Sequence, residues 1–544
     1  MQTSQQHQSS AGINGLYHKP VQDIQPYYLQ NLQILDNNMC SESGSQGTSV
    51  SFQTYKEQFF TLESSTTAAG FLGYDSPSAV SVSSSKSPFS PQGSHSCLSD
   101  PHHSSDNPYG SPISGSSVAG DGGKLKHKLR ELEITLLGPE SDIVDTCNCC
   151  FNNGIHQASS ITNLNWEMIP MLDLKQMLVL CAQKVSDGDL VTAVGLMNKL
   201  EQMVSVSGEP IQRLGAYMLE GLRARLESSG SNIYRALKCK EPTSKELMSY
   251  MSILFQICPY WKFAYTSANV VIKEMMQHEP RIHIIDFQIA QGTQHMMLIK
   301  DLATRPGGPP LLRITGLDDS QSNHARGGGL HIVKERLSKF AESYNVPFEF
   351  HDATMYDCEV ELEHLKVQPG YALAVNFPYV LHHMPDESVS IWNHRDRLLR
   401  LVKSLSPKVV TLVEQESNTN TSPFFSRFLE TLDYYAAMFE SIDGGCPRDD
   451  KQRISAEQHC VARDIVNMIA CEGPERIERH ELLGKWRSRF MMAGFSPCPL
   501  SPSVRYSAGE VLKDFDKNYA LEVRDGALYL KWKMRGMATS SAWR

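Results

Sequence analysis

The chain is 544 residues long and has a formal net charge of -9, with 41% hydrophobic and 20% charged residues. This apolar content is enough for a sizeable core, and the length allows more than one domain. The acidic excess argues against a protein that holds nucleic acid through bulk positive charge, because that affinity comes from neutralising phosphates with Lys and Arg. A local basic face is still compatible with this balance.

The sequence has no uncharged apolar run of about 18 residues and no secretory signal at its N-terminus, so we expect a cytosolic or nuclear protein, or one in both compartments. The 13 cysteines are scattered through apolar stretches, which is typical of reduced, buried thiols. The one dense group, Cys147, Cys149 and Cys150 with His156, lacks the paired spacing of a zinc site. The sequence therefore predicts no metal site and no membrane span.

Residues 1–160 are rich in Ser, Gln, Gly and Pro and contain few clustered apolar residues. So little apolar surface does not offset the conformational entropy lost on folding, and we predict a disordered regulatory tail. One segment near residues 124–137 differs, because its leucines recur at helical spacing. It is either a nascent helix that folds onto a partner or a strap that docks on the chain's own domain.

From Trp166 onward the sequence changes to long amphipathic patterns, and we begin the folded domain at residue 164. Apolar residues at helical spacing predict four helices, which begin near Leu174, Leu190, Ile211 and Leu247. The periodicity is interrupted by polar breakers such as DGD and SGEP, which favours an antiparallel bundle over a dimer-forming zipper. Contact with a partner through an exposed rim of this bundle is left open.

After these helices the chain alternates between short apolar strands and helical stretches, a pattern that predicts a parallel, doubly wound α/β sheet. The predicted strands are RIHIIDF, PLLRITGLD, VPFEFH, YALAVNF and KVVTLVEQE. A late helical stretch, HELLGKWRSRFMMAG, precedes two further strand candidates, RYSAGEVL and ALYLKWKMR. These two would close the sheet with an antiparallel edge. We expect one α/β domain with a helical cap.

Ligands of open α/β sheets bind beyond the carboxyl ends of the strands, so the residues that follow each strand decide the chemistry. Acidic residues after the first two strands resemble the layout of S-adenosylmethionine methyltransferases. The candidate pocket residues are Asp286, Gly292, Asp318, Asp319, Asn376 and His382. A nucleotide site needs several glycines for close backbone approach, whereas the loop after Asp286 has only Gly292. We interpret the pocket as vestigial and favour a helix-capping role for Asp286 over ligand contact.

The adjacent His382 and His383 have the chemistry of an acid and a base, but no nucleophile or metal-ligand spacing accompanies them. We therefore interpret them as structural histidines. No Walker loop, nucleophile elbow, kinase motif set or H-E-x-x-H motif occurs in the sequence. The sequence predicts no catalytic residue, no cofactor and no enzymatic activity.

Several motifs, taken in order, closely resemble the GRAS family of plant transcriptional regulators. IHIID, which comprises Ile282, His283, Ile284, Ile285 and Asp286, is similar to the family's VHIID motif. The stretches DLKQMLVLCAQKVSDGDL and GGGLHIVKERLSKFAESYNVPFEF resemble its two leucine repeats. The C-terminal residues Trp532, Ser541, Ala542 and Trp543 resemble its SAW motif. The resemblance gives a GRAS domain at 164–544, with leucine repeat I at about 171–235, the VHIID region at 251–316, leucine repeat II at 326–358, the PFYRE region at 367–462 and the SAW region at 465–544.

The resemblance implies a Rossmann-like, methyltransferase-type sheet with an α-helical cap. It also implies gene regulation through protein partners, with presence in the nucleus and cytoplasm. Expected partners are transcription factors and other nuclear regulators, while a GRAS homo- or heterodimer and direct DNA contact are left open. The residues expected to contact partners are the leucines Leu178, Leu190, Leu200, Leu330 and Leu337.

Finer features such as ELEITLLGP resemble the scarecrow-like branch of the family that is linked to phytochrome A signalling. This resemblance implies a role in light or stress signalling. Two alternatives come from other functional classes. One is a degenerate or active S-adenosylmethionine-dependent methyltransferase, and the other is sequence-specific DNA binding by the domain itself.

The chain departs from the family pattern at two places. The family usually has QGxQW after VHIID, whereas this chain has QGTQH, so His295 replaces a large aromatic residue. Gly444, Gly445 and Cys446 stand where bulkier residues are usual. A change from Trp to His removes apolar area and adds a titratable ring. We therefore predict altered packing, or an altered partner or ligand face, beside the helix that follows the first strand.

Overall fold

The computed structural model describes residues 172–230, 232–318, 324 and 327–544. The predicted tail, the amphipathic segment near residues 124–137 and Asp319 lie outside the described residues. The described part of the chain begins with helices, as the sequence predicts. The helices before the first strand are α1 (Leu174–Ser186), α2 (Leu190–Leu200), α3 (Pro210–Leu226), the short α4 (Ile233–Ala236), α5 (Ser244–Ile257) and α6 (Tyr260–Met275).

Local capping explains where these first helices begin. At the start of α1 the Asp173 side chain accepts from the Gln176 backbone, and the Gln176 side chain accepts from the Asp173 backbone. Thr243 and Glu246 form the same reciprocal arrangement at α5, and Pro210 occupies the first position of α3. The side-chain caps of α1 and α5 satisfy backbone N–H groups that have no partner inside the helix. Pro210 has no backbone N–H group, so it leaves none unsatisfied at the start of α3.

The sheet has nine strands in the described part of the chain. They are β1 (Arg281–Asp286), β2 (Leu311–Asp318), β3 (Phe348–Thr354), β4 (Ala372–Pro378), β5 (Val409–Gln415), β6 (Pro497–Cys498), β7 (Tyr519–Arg524), β8 (Ala527–Trp532) and β9 (Arg535–Trp543). Their order is β3-β2-β1-β4-β5-β9-β8-β7, and β6 pairs with β9. Strands β1 to β5 are parallel to one another, and β9 joins β5 in antiparallel register.

The strand order reverses between β1 and β4, which defines the topological switch point of a doubly wound sheet. Side chains alternate between the two faces of the sheet. Ile282 and Ile284 of β1 contribute to the core beneath α6, whereas Ile285 contributes to the core on the opposite face. The predicted Rossmann-like, methyltransferase-type sheet with a helical cap is confirmed.

The remaining helices cover the sheet or return to the cap. They are α7 (Thr293–Ala303), α8 (Leu330–Ser343), α9 (Leu362–Leu365), α10 (His394–Ser404), α11 (Phe424–Asp443), α12 (Lys451–Ala456), α13 (Ala462–Ala470), α14 (Leu483–Met492) and α15 (Pro502–Leu512). A π-helical turn, Glu457–Val461, joins α12 to α13. No helix among the described residues is long and apolar enough to cross a membrane.

The cap is built from two separate parts of the chain. The buried Arg213 of α3 forms a 2.6 Å ion pair with Asp443 of α11 and a 3.2 Å ion pair with Glu457. Gly221 of α3 lies so close to Ile469 of α13 that an added Cβ would come within 3.1 Å of its side chain. Helix α3 therefore packs against α11, α13 and the π-helical turn, so the cap includes helices from the predicted PFYRE region and the segment after it.

Two strand predictions near the C-terminus need correction. RYSAGEVL lies in helix α15, where Pro502 occupies the first turn and Val504 and Ala508 are buried at helical spacing. The antiparallel part of the sheet also contains β7 and β9, which the sequence did not predict. Strand β9 lies between β5 and β8 rather than at an edge. Its small residues suit a strand packed on both sides but give no apolar alternation.

Candidate functional site

At the switch point, the ends of β1 and β4 bring Asp286 and Asn376 together. His295 Nε2 lies 2.6 Å from Asp286 Oδ2, and Asn376 Nδ2 donates to the same oxygen over 2.9 Å. The Gln288 backbone N–H donates to Asp286 Oδ1 over 2.9 Å. All three side chains of Asp286, His295 and Asn376 are buried. The carboxylate is thus occupied by groups of the chain itself.

Neighbouring amides extend this arrangement. Asn376 Nδ2 also donates to Gln294 Oε1 over 3.0 Å, and Gln294 Nε2 donates to Asn269 Oδ1 over 3.1 Å. Thr411 donates its hydroxyl hydrogen to Asn376 Oδ1 over 2.7 Å. We call Asp286, His295, Gln294 and Asn376 the switch cluster. Its polar atoms have hydrogen-bond partners, with His295 Nδ1 as the exception among the described residues.

Apolar side chains of the loop after β1 fill the rest of the crevice. Phe287 stacks on Phe377 of β4 with ring centroids 4.6 Å apart. Ile289 packs against Gly316 of β2, where an added Cβ would lie 3.1 Å from its side chain. Phe287 and Ile289 therefore occupy part of the crevice that holds ligands in other open α/β sheets.

Gly292 is required where this loop turns into α7. Its φ is 77°, a left-handed conformation that favours glycine. A Cβ at this position would also come within 3.1 Å of Val333 and 3.2 Å of Leu337 on α8. Gly292 thus allows α7 to begin close against α8, and the structure gives it a packing role.

The remaining predicted pocket residues do not all join the switch cluster. The prediction that Asp286 caps α7 is wrong, because Gly292 occupies the capping position and no side chain caps the helix. Asp318 is buried at the end of β2, and Asp319 lies outside the described residues. His382 belongs to a different cluster, at the ends of β4 and β5. The His295 ring is fully buried and presents no surface to a partner, whereas altered packing at this position stays a prediction.

A second feature at the carboxyl edge is a segment without helix or strand, residues 476–481, which we call the strap. All six of its side chains are buried although five of them are ionisable. It is fixed to the loop after β5, because the backbone N–H groups of Thr419 and Asn420 both donate to the carbonyl of His480 over 3.1 Å. Arg479 N–H donates to the carbonyl of His382, which follows β4. The strap therefore crosses the ends of β4 and β5.

Two strap residues, Glu478 and His480, lie against His382 and Glu414. We call these four residues the strap cluster. His382 Nδ1 lies 2.6 Å from Glu414 Oε2, while His382 Nε2 lies 3.4 Å from Glu478 Oε2. His480 Nε2 lies 3.6 Å from the same Glu478 oxygen, and the rings of His382 and His480 stack with centroids 4.3 Å apart. His383 is adjacent, with its Nε2 atom 3.5 Å from Glu478 Oε1.

Burial and charge set the protonation of the strap cluster. Burial opposes the charged form of His382, but the neighbouring Glu414 and Glu478 outweigh it and raise the pKa of His382 to about 10. Burial alone would raise the pKa of Glu478, yet the adjacent histidines hold it well below its usual value. Burial and the charge of His382 hold the pKa of His480 well below its usual value. Ionisable groups perturbed in this way are concentrated at functional sites, although structural networks show them too.

A small cavity of about 60 Å³ lies between the strap cluster and the cap. The apolar part of its wall includes Tyr260, Trp261 and Tyr434, and its polar part includes His382, Glu478, His383 and Asp464. This volume holds a few water molecules. At this cavity, space and ionisable groups occur together at the carboxyl edge of the sheet.

Comparison with known proteins assigns the family. Residues 174–544 match the GRAS domain family. The chain belongs to the GRAS family. Scarecrow-like protein 13 of Arabidopsis thaliana is 62% identical over 100% of this chain and 99% of its own length. The Scarecrow-like transcription factor PAT1 of the same plant is 60% identical over 79% of this chain and 88% of its own length.

A rice relative and a solved structure agree with this assignment. Chitin-inducible gibberellin-responsive protein 2 of Oryza sativa subsp. japonica is 54% identical over 89% of this chain and 87% of its own length. The crystal structure of SCL7 from Oryza sativa is 33% identical, with a TM-score of 0.61, and covers 69% of this chain and 100% of that chain. The GRAS fold of this chain is therefore shared with an experimentally determined structure.

The GRAS leucine repeats are mainly core-forming in this chain. Leu178 of α1, Leu200 of α2, and Leu330 and Leu337 of α8 are at most 3% exposed, so these four leucines do not contact a partner directly. They were predicted as partner contacts because leucines at helical spacing suit a core stripe and an interface equally well. Leu190 differs, since it is 50% exposed at the start of α2.

The SAW motif of this GRAS domain is structural. Trp543 is buried in β9, where it pairs with Val410 of β5 and stacks on Phe490 with centroids 4.7 Å apart. Ser541 accepts a 3.0 Å hydrogen bond from Trp543 Nε1, and the neighbouring Ala542 pairs with Thr411. The motif joins the parallel and antiparallel parts of the sheet. Trp532 of β8 is also buried and donates from its Nε1 to Glu440 over 3.3 Å.

The second family departure has a packing explanation at Gly445, just after α11. A Cβ there would lie 3.0 Å from the Ile257 side chain and 3.3 Å from the Ile257 carbonyl oxygen. The glycine therefore allows the end of α11 to approach the end of α5. Cys446 is half-buried next to it, and burial raises the pKa of its thiol.

Proposed function

We propose that this GRAS-family transcriptional regulator acts by binding transcription factors and other nuclear regulators through its helical cap. The observation that carries the proposal is an apolar strip on α2, formed by Leu190, Val191 and Val194. These side chains are 50%, 88% and 46% exposed, and their spacing places them on one side of the helix. Grouped apolar side chains at a surface are typical of protein-binding sites. The strip lies in the predicted first leucine repeat.

A double substitution in the strip tests this proposal. We expect Val191→Glu with Val194→Glu to abolish capture of the nuclear proteins that the wild-type chain co-purifies, and to lower reporter transcription to the level without the chain. The matched control is Val523→Glu on β7, which also charges an exposed valine, 53% exposed in this case. Normal partner capture and reporter activity in the double variant would refute the proposed surface.

The alternative function, S-adenosylmethionine-dependent methylation, is disfavoured by the geometry of the switch point. Phe287 and Ile289 occupy the crevice at the switch point, and Asp286 is engaged by His295 and Asn376. The cavity of about 60 Å³ beside the strap cluster is small beside ligand pockets of about 300–1,000 Å³. We expect no heat of binding when S-adenosylmethionine is titrated to millimolar concentration. Saturable binding would return an enzymatic function to consideration.

A role in light or stress signalling is a further part of the proposal. Its support is the resemblance to the branch linked to phytochrome A signalling, together with the rice relative whose name describes induction by chitin and response to gibberellin. We propose that the chain is present in both nucleus and cytoplasm. Fractionation of dark-grown and light-treated tissue, with and without residues 1–160, tests signal and location together. An unchanged distribution and unchanged partner set under light and under chitin would contradict this part.

Direct DNA binding and dimer formation are two separate alternatives. The acidic balance of the chain favours co-regulation over direct DNA contact. A mobility shift that weakens steeply as salt is raised would instead support a local basic face. Sedimentation at several concentrations distinguishes a partner-binding monomer from a GRAS dimer, and the double variant Val191→Glu with Val194→Glu shows whether the strip is the dimer interface.

A further inference from the structure

The strap cluster brings two imidazoles and one carboxylate to a common centre. One ring nitrogen of His382, one of His480 and one Glu478 oxygen lie within 4.8 Å of one another. Glu478 Oε2 lies 3.4 Å from His382 Nε2 and 3.6 Å from His480 Nε2. Zn–N and Zn–O bonds of about 2.1 Å in tetrahedral geometry place neighbouring ligand atoms about 3.4 Å apart. These separations are therefore those of ligands around one ion and are long for direct hydrogen bonds.

The outer nitrogens of both rings are already held in the required orientation. His382 Nδ1 is 2.6 Å from Glu414 Oε2, and His480 Nδ1 is 3.2 Å from Thr419 Oγ1. Histidines that bind metals usually donate their other ring N–H to a carboxylate or another oxygen, which fixes the tautomer. With each proton on Nδ1, both Nε2 lone pairs point to the Glu478 carboxylate.

The centre of the cluster lacks the hydrogen bonds that buried polar atoms normally make. Among the described residues, both carboxylate oxygens of Glu478 and the Nε2 atom of His480 have no hydrogen-bond partner, and both side chains are about 1% exposed. A buried carboxylate without hydrogen bonds is costly unless a positive charge neutralises it. From these contacts we propose that His382, Glu478 and His480 bind one divalent transition-metal ion.

The donor set indicates which kind of ion fits. Two imidazoles and a carboxylate suit Zn²⁺ and its first-row neighbours rather than Mg²⁺ or Ca²⁺, which prefer oxygen ligands alone. A proton on His382 competes with the metal ion for this site. The proton neutralises the charge of one of the carboxylates Glu414 and Glu478, whereas a divalent ion neutralises both. His382 and Glu478 also line the cavity, so the fourth coordination position faces a space that holds water.

Such an ion joins two segments that are distant in the sequence. His382 follows β4, while Glu478 and His480 belong to the strap, so metal binding fixes the strap across the carboxyl edge of the sheet. Because the unfolded chain does not hold these ligands together, binding of the ion stabilises the folded state. The inference is independent of the partner surface on α2.

The test uses the full, untagged chain, treated with a chelator and then dialysed. Co²⁺ is titrated as the probe, because its visible absorption reports tetrahedral coordination, and Zn²⁺ is then added to displace it. We expect one equivalent of Co²⁺ per chain with displacement by Zn²⁺. His480→Gln and Glu478→Gln should lose stoichiometric binding, and Glu414→Gln should weaken it about 10- to 100-fold.

Two controls separate this centre from other histidines and cysteines. His459→Gln removes a buried histidine that stacks on Tyr250 outside the cluster, and it should leave Co²⁺ binding unchanged. Replacing Cys147, Cys149 and Cys150 with Ser should also leave it unchanged. Binding that is lost with these cysteines but kept in His480→Gln would overturn the proposal.

A measurement on the unaltered chain covers the case in which the ligand variants fail to fold. We expect Zn²⁺ to raise the melting temperature of the wild-type chain by a few degrees, and a chelator to reverse the rise. Absence of both stoichiometric Co²⁺ binding and a melting shift in the wild-type chain would refute the metal site, whatever the variants do.

Discussion

The switch cluster and the strap cluster lie at the same edge of the sheet, but their buried carboxylates differ in hydrogen bonding. In the switch cluster the Asp286 carboxylate accepts hydrogen bonds from His295, Asn376 and the backbone of Gln288. In the strap cluster the Glu478 carboxylate makes no hydrogen bond among the described residues and faces a cavity. A satisfied polar network fixes one structure, whereas an incompletely satisfied one is suited to receive a ligand. We therefore expect a ligand to bind at the strap cluster and not at the switch cluster.

The largest expected effect comes from detaching the strap. Arg395 is fully buried, donates to the carbonyls of Met384 and Arg479 over 2.9 and 3.1 Å, and lies 3.3 Å from Glu481. Arg395→Met leaves these acceptors and the Glu481 charge without this partner, and we expect a loss of about 3–5 kcal/mol in the free energy of unfolding. Urea denaturation measures the loss. A change below about 1 kcal/mol would show that the strap is not held by this network.

The switch cluster should respond less strongly. His295→Phe removes the donor to Asp286 while keeping a ring in the buried space, and we expect a loss of about 1.5–3 kcal/mol, as for other hydrogen bonds to charged groups. His295→Gln keeps an N–H donor and serves as the matched variant, with a smaller expected loss. Equal losses for Phe and Gln would show that ring shape, not the bond to Asp286, decides stability there.

The pH dependence of stability distinguishes the two clusters in the metal-free chain. The pKa of His382 is raised to about 10 in the folded state, against about 6.5 when unfolded. Its stabilisation is therefore complete below about pH 6.5 and is lost as the pH rises towards 10. With a chelator present, we expect at least about 1 kcal/mol to be lost between pH 7 and 9.5. The loss should be much smaller in His382→Gln, and a flat wild-type profile would contradict the charged state of His382.

The smallest expected effect on stability is at the α2 strip. Val191 is 88% exposed, so Val191→Glu should change the free energy of unfolding by no more than about 0.5 kcal/mol. This change would separate the partner surface from both buried clusters, because partner capture should fall while Co²⁺ binding stays intact. A large loss of stability would mean that Val191 packs against a part of the chain outside the described residues.

Much of the parallel sheet could be predicted from the sequence, because its strands are short apolar runs and clear helical stretches precede β3 and β5. The meeting of Asp286 and Asn376 follows from the same pattern, since the carboxyl ends of neighbouring parallel strands lie together. The filling of the crevice by Phe287 and Ile289 was not predictable in detail. The absence of glycines in that loop was the signal that backbone could not approach a nucleotide closely.

The strap cluster could not be predicted in the same way. Glu478 and His480 lie about a hundred residues after His382, in a segment that has no helical or strand periodicity. A run of charged residues such as RIERHE is typical of a solvated surface. Here it is buried, and Thr419, Asn420 and Arg395 donate hydrogen bonds to its backbone carbonyls. Strand β9 was missed for a related reason, since its small residues give no alternation. Tertiary contacts, and not the local sequence pattern, determine the structure of both segments.

The most direct test is native mass spectrometry of the full, untagged chain incubated with both Zn²⁺ and S-adenosylmethionine. The switch cluster predicts no adduct of S-adenosylmethionine, and the strap cluster predicts one bound zinc ion that is absent in His480→Gln. One zinc adduct alone is the predicted result. An S-adenosylmethionine adduct without zinc would contradict the account, because it would place the ligand site back at the switch point.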